Sequence, residues 1–204
     1  MVLASSSIIQ EIDTMSKRGR ASLAFFYCDF REDRKRDLRG LVSSLLAQLC
    51  HQSDSYYEIF SNFYTNHSTD SKHPSDDALV KCLKQVLRLP RQAPVYLVLD
   101  ALDECRISST PSPREEVLIL VEELIDSRIP NLHVCITSRP EIDIKVVLDP
   151  LTFRSVSLHD EIGQMEDIDK YIRSFVNTDK TMRRWRAADR QLVIDVLMNK
   201  ADGM

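Results

Sequence analysis

The chain has 204 residues, enough for one domain or one domain with a small appendage, and 43% of them are hydrophobic against 28% charged. That balance supports a buried core and excludes wholesale disorder. With 27 Lys and Arg against 31 Asp and Glu, the net charge of −4 gives no electrostatic basis for nucleic acid or an anionic membrane as the main partner. No apolar run reaches the ~18–20 residues needed to span a bilayer, and MVLASSSIIQEID has neither the basic start nor the apolar stretch of a secretory signal.

Glycine and cysteine narrow the reading further. The four glycines, Gly19, Gly40, Gly163 and Gly203, are too far apart to write a Gly-rich phosphate loop anywhere in the sequence. Five cysteines at intervals of 22 residues or more show no zinc-type pairing and read as reduced, buried thiols of a cytosolic or nuclear protein, cytoplasmic being the localisation expected. His133 and Cys135 share one face of a strand, but no third group orients them as a nucleophile pair.

Residues 2–17 read as a helix stopped by Gly19, and SLAFFYCDF (22–30) as a buried strand. After the charge run REDRKRD comes the cleanest helical stripe, Leu38, Leu41, Val42, Leu45, Leu46 and Leu49. A helix on Tyr56, Ile59, Phe60, Phe63 and Tyr64 follows, then a polar loop, then a helix from Ser75 to about Leu89. APVYLVLDALDEC is a second strand that stops at carboxylates. Ser112 and Glu115 form a capping box with Pro113 at the first helical position, opening a helix to about Arg128.

NLHVCITSRPE repeats the strand pattern, and FRSVSLHD (153–160) reads as a weaker strand. Two further helices follow, one on Ile168, Tyr171, Ile172 and Phe175, the other on Leu192, Val193, Val196 and Leu197. Strands separated by helices predict an α/β protein with a mostly parallel sheet and flanking helices. RRWRAADR reads as a solvated helix start, and SSTPSPRE, with hydroxyls at Thr110 and Ser112, as a flexible loop and cap.

In such sheets ligands lie beyond the carboxyl ends of the strands. The second strand delivers Asp100 there, followed by Ala101, Leu102, Asp103 and Glu104; the third delivers Thr137, Ser138 and Arg139. One strand-end carboxylate suits Mg²⁺ bound with phosphates, a nearby acid can orient or deprotonate water, and a guanidinium matches a terminal phosphate.

VYLVLDALDE and HVCITSRPE, one helix apart, together resemble the Walker B and sensor-1 strands of NACHT-type P-loop NTPases of the signal-transduction (STAND) class. The likeness is nearest to fungal NACHT proteins and the nephrocystin-3-like N-terminal domain, and FFYCDFRED and the terminal NKADGM add to it. The resemblance implies Asp100 as the metal-linked acid, Asp103 and Glu104 as catalytic acids acting on water, and Arg139, with Thr137 and Ser138, on the nucleotide side. Ala101 would leave room near the metal.

It also implies that residues 1–160 are a partial nucleotide-binding core and 161–204 the start of the helical region that follows. The family's Walker A strand and loop would stand just before VLASSSIIQEI, so the chain reads as a fragment, or as a product begun inside a longer reading frame. The implied function is a nucleotide-operated regulatory switch in the intact form, with Mg²⁺ and ATP or GTP as cofactors that this chain alone does not bind or hydrolyse. Its partners would be other proteins or copies of itself. The alternative is a non-catalytic protein-interaction module. A sheet lacking a central strand beside Val134–Ile136 and Val156–Leu158 is expected to be marginal and prone to aggregate.

Overall fold

The computed structural model describes residues 2–32, 37–67, 73–90, 92–105, 107, 111–157 and 164–201. Two compact units emerge, residues 1–152 and 153–204. The first is α/β: α1 (Val2–Lys17), β1 (Ser22–Tyr27), α2 (Leu38–Gln52), α3 (Asp54–His67), α4 (Asp76–Leu87), β2 (Val95–Asp100), α5 (Pro113–Asp126), β3 (Leu132–Ile136) and α6 (Ile142–Leu148). A 3-10 turn, Leu102–Glu104, directly follows β2.

The sheet has the order β1-β2-β3 and is parallel throughout, with Ala24 beside Leu97 and Leu97 beside Val134. Alternation divides its side chains between two faces. Ala24, Phe26, Val95, Leu97 and Leu99 enter the main core, where they meet Leu41, Leu45 and Leu49 of α2, Leu83 and Val86 of α4, and Val117 and Val121 of α5. Leu23 and Val98 on the opposite face pack with Ile12 of α1. β2 is buried along almost its whole length, which is why it reads as a continuous apolar run rather than an alternating one.

Local signals account for the helix starts. The Asp37 carboxylate accepts from the Gly40 amide at 2.8 Å, and the Ser75 hydroxyl from Ala78 at 3.3 Å. The Ser112/Glu115 capping box closes in both directions, with Pro113 at the start of α5. α6, which the sequence reading leaves without an element, is two turns long and buries only Ile144 fully. So short a stripe gives little periodic signal.

One expected strand does not form over its described residues. Residues 153–157 of FRSVSLHD have no regular structure, and Phe153 and Val156 are exposed; Leu158–Asp160 lie outside the described residues. A strand needs a neighbour to pair its backbone, and its alternating pattern alone is not enough. Asp33–Arg36 of the charge run, Thr110, and the Asp202–Met204 end of NKADGM also lie outside the described residues.

The second unit holds α7 (Gln164–Thr178), a 3-10 turn at Met182–Arg184, and α8 (Ala187–Ala201). Both helices are where the sequence puts them, and their buried faces include Ile168, Ile172 and Val193 as expected but are otherwise shifted. Ile172, Val176 and Ile194 form the core, with Ile168, Val193 and Met198 against it. The expected anchors Tyr171, Phe175, Leu192, Val196 and Leu197 are exposed. Both helices carry apolar residues on more than one side, so the stripe alone misjudges which side is buried. Among the described residues no helix is long and apolar enough to cross a membrane.

Candidate functional site at the carboxyl ends of the strands

β2 ends in Asp100, which is only 2% exposed. A buried carboxylate needs partners, and its neighbour strand supplies one: the Thr137 hydroxyl, just past β3, donates to Asp100 Oδ1. Among the described residues Oδ2 accepts no hydrogen bond. The Ala101 amide donates to Thr137 Oγ1 at 3.0 Å, and the Leu102 amide to the Thr137 carbonyl at 3.0 Å. With its own amide donating to the Leu99 carbonyl at 2.9 Å, one threonine stitches the ends of both strands together through four hydrogen bonds.

Ala101 sits at φ 56° and ψ 49°, the left-handed region that costs a non-glycine residue roughly 1–2 kcal/mol. That conformation turns the chain sharply away from the sheet and starts the 3-10 turn. Leu102 is fully buried below it and anchors the turn in the main core.

Asp103 faces the end of β3. Its carboxylate accepts from the Arg139 amide at 3.0 Å and lies 3.4 Å from Arg139 Nε. The Asp103 side chain is 7% exposed whereas that of Arg139 is 77% exposed, so the acid is fixed and the arginine held at one edge only. Glu104 turns the other way, accepting from the Phe30 amide at 3.3 Å beyond β1. Ser138 donates to the Arg139 carbonyl at 2.8 Å. Of the six residues singled out from the sequence, Asp100, Asp103, Thr137 and Arg139 are joined by hydrogen bonds or ion pairing. Glu104 is tied to the β1 side instead, and Ser138 is spent on local backbone. Among the described residues no cluster of three or more His, Cys, Asp or Glu forms a metal cage. One carboxylate with a free oxygen is nevertheless the modest donor set Mg²⁺ takes when water and phosphate complete its shell.

Three features that the sequence reading does not connect to the site brace the rim or the sheet behind it. The first is Arg114 of α5, 2% exposed. It donates to the Asp103 carbonyl, to Glu141, and to Asp143 at 3.0 Å, tying the 3-10 turn to the start of α6. Burial opposes its charge, but the hydrogen bonds to Asp143 and Glu141 prevail and raise it above the ordinary arginine value. Its signal was readable: a cation in the first turn of a helix opposes the dipole and needs a partner elsewhere.

The second is the thiol pair Cys28 and Cys105, both buried, with sulfurs 3.3 Å apart. Contact with Cys105, burial, and the Asp100 and Glu104 carboxylates hold the Cys28 thiol well above its usual range. The third is a pair of glutamines on α2. Gln48 exchanges hydrogen bonds with the amide and carbonyl of Phe25 (3.0 and 2.7 Å), and Gln52 does the same with Leu23 (2.9 and 2.6 Å).

His133 and Cys135 do share a face, as read. The His133 ring stacks on Tyr96 with centroids 4.6 Å apart, and Cys135 packs against the Ile12, Leu23 and Val98 cluster. Asp29, beyond β1, is taken up by Arg31 through Nε at 2.9 Å and Nη2 at 2.8 Å.

The family model described as nephrocystin 3, N-terminal, matches residues 2–139. That span begins with α1 and closes at Arg139, and so contains all three strands and every residue of the rim except Glu141 and Asp143. Comparison with curated proteins and with solved structures gives no match. With well over half its length matched, the chain belongs to the nephrocystin 3, N-terminal family.

Proposed function

We propose that the chain carries the acid-and-sensor half of a nucleotide-operated regulatory switch of the NACHT kind, a P-loop NTPase of the STAND class. The observation that carries this reading is the cross-strand unit at the rim: the β2 acid Asp100 held by Thr137, and Arg139 held by Asp103. In it Asp100 corresponds to the Walker B acid and Arg139 to the sensor. Asp100 is the residue that would hold Mg²⁺, which when bound with a nucleotide neutralises phosphate charge.

The remaining roles follow from how each side chain is held. Thr137 fixes the plane of the Asp100 carboxylate and leaves Oδ2 outward. Glu104, bound through Oε2 to the Phe30 amide, has Oε1 to accept a proton from water. Asp103 serves as a resting partner for Arg139. An exposed guanidinium paired at 3.4 Å is worth little in water, so a terminal phosphate can draw it away, and the exchange reports triphosphate against diphosphate. The 204 residues contain no Gly-rich loop. The backbone amides and lysine that give most phosphate affinity are therefore not supplied by this sequence, and alone it neither binds nucleotide firmly nor turns it over. The setting is the cytoplasm, with other proteins or further copies as partners.

The same absence, together with rim groups already satisfied by one another, favours a second reading: a protein-interaction module that keeps the sheet without the chemistry.

The two separate when a strand and Gly-rich loop from a family member are joined ahead of Val2. In that chain Asp100→Asn should weaken Mg-dependent binding of ATP or GTP. Glu104→Gln, and Asp103→Asn if that acid also acts on water once Arg139 has moved to phosphate, should slow turnover with binding retained, and Arg139→Ala should reduce discrimination of triphosphate from diphosphate. No binding in the joined, folded chain, or equal loss in every variant, would favour the interaction module.

A further inference from the structure

Two segments that flank the rim meet through sulfur. Cys28 follows β1, and its amide donates to the Asp100 carbonyl at 2.9 Å, extending the β1–β2 ladder by one residue. Cys105 closes the 3-10 turn through its amide to the Leu102 carbonyl at 3.1 Å. This backbone geometry brings two thiols 77 positions apart in sequence to a sulfur–sulfur distance of 3.3 Å, and the Phe30–Glu104 hydrogen bond ties the same two segments a second time. Among the described residues no other pair of cysteines makes such a contact: Cys50 donates to the Tyr56 carbonyl, and Cys135 packs on the α1 side of the sheet.

A disulfide bond measures about 2.05 Å, so closure asks the two sulfurs to approach by about 1.3 Å. We propose that Cys28 and Cys105 form an oxidisable dithiol, a modification site for small peroxides that locks the end of β1 to the turn bearing Asp103 and Glu104. In the first step one thiolate attacks a peroxide oxygen, the O–O bond breaks, and hydroxide leaves to give a sulfenic acid. The second thiol then attacks that sulfur and expels water. Overall, two thiols and one hydrogen peroxide yield one disulfide and two waters. Both sulfurs are buried, so oxidation proceeds through brief opening of the turn and is slower than at an exposed thiol. Once formed, the bond holds the turn to β1 whether or not nucleotide has any part in the protein's function, so the inference stands apart from the proposed switch.

The test treats the full folded chain with hydrogen peroxide, alkylates the free thiols and maps the peptides by mass. The expected result is a Cys28–Cys105 linked pair, lighter by two hydrogens than its separate peptides and released by dithiothreitol. Alkylation under denaturing conditions should fall by two of the five thiols. Cys28→Ser and Cys105→Ser should each abolish the linked pair, and amide exchange over Leu102–Cys105 should slow in the oxidised wild type. If either variant fails to fold, the wild-type peptide map decides alone. Recovery of Cys28 and Cys105 as free thiols or as separate sulfinic acids would overturn the proposal. So would linkage that forms equally fast in urea, because folded proximity would then not be its cause.

Discussion

The two edges of the sheet are finished in different ways. Among the described residues β1 has no strand on its outer side, yet Gln48 and Gln52 each present an amide there that pairs with one residue's N–H and C=O. The fit is metric. Four residues along a helix rise about 6 Å, and two residues along a strand advance about 6.6 Å, so glutamines at i and i+4 meet edge residues at i and i+2. The other edge belongs to β3, with β2 on one side and no further strand among the described residues. His133 there is exposed, and its strand neighbours are half-buried, whereas β2 is buried nearly end to end. A sheet edge can thus be satisfied without a strand, while the edge expected to lack a neighbour, Val134–Ile136, is the one left to β3.

The strongest way to break this comparison is to remove the amides. Gln48→Ala with Gln52→Ala deletes four hydrogen bonds at about 1 kcal/mol each and should cost on the order of 4 kcal/mol in urea unfolding. By contrast His133→Lys on the open edge should cost no more than about 1 kcal/mol, the worth of its stack on Tyr96. Equal effects at the two edges would show that the glutamines are incidental.

Arg114→Met sharpens a different point, that the rim beside the open edge is held from below. Loss of a buried cation with three partners should cost about 3 kcal/mol, the low end for breaking a buried pair, because Glu141 and Asp143 can rehydrate. Its distinguishing sign is local, with faster amide exchange over Leu102–Cys105 than over α2.

The smallest effect is alkaline. Burial, helped by Cys50, pushes the Cys82 thiol up to about 11. Because the folded value lies above that of the unfolded chain, this stabilisation is complete below pH ~8.5 and is lost as pH rises toward and past 11. The expected fall is at most about 3 kcal/mol across that window, and Cys82→Ala should flatten the profile as well as lower it.

Much of the first unit was legible because its signals are local and dense. β2 is one apolar run ending at Asp100, the α2 stripe repeats without fault, and Ser112 with Glu115 writes its own cap. What escaped depends on distant partners. Nothing near Gln48 says that its amide will find Phe25, or near Cys105 that its sulfur will meet Cys28. Over residues 153–157 the expected strand had the alternation but no pairing, and α7 and α8 had apolar residues on several sides, so pattern alone found Ile168, Ile172 and Val193 but not Val176, Ile194 or Met198. At the rim the sequence named Asp100, Asp103, Thr137 and Arg139, whose types announce themselves at strand ends. It did not name Arg114, whose importance lies in what it touches.

The most direct test of the rim as half of a nucleotide site is titration calorimetry of the chain as it stands with Mg-ATP and Mg-GTP, followed by a hydrolysis assay. With the acid and the arginine present but no Gly-rich loop in its 204 residues, the chain should bind either nucleotide very weakly and release no measurable phosphate. Low-micromolar affinity that disappears in Asp100→Ala would contradict the account, because the rim would then be gripping nucleotide without the cradle on which its proposed role depends.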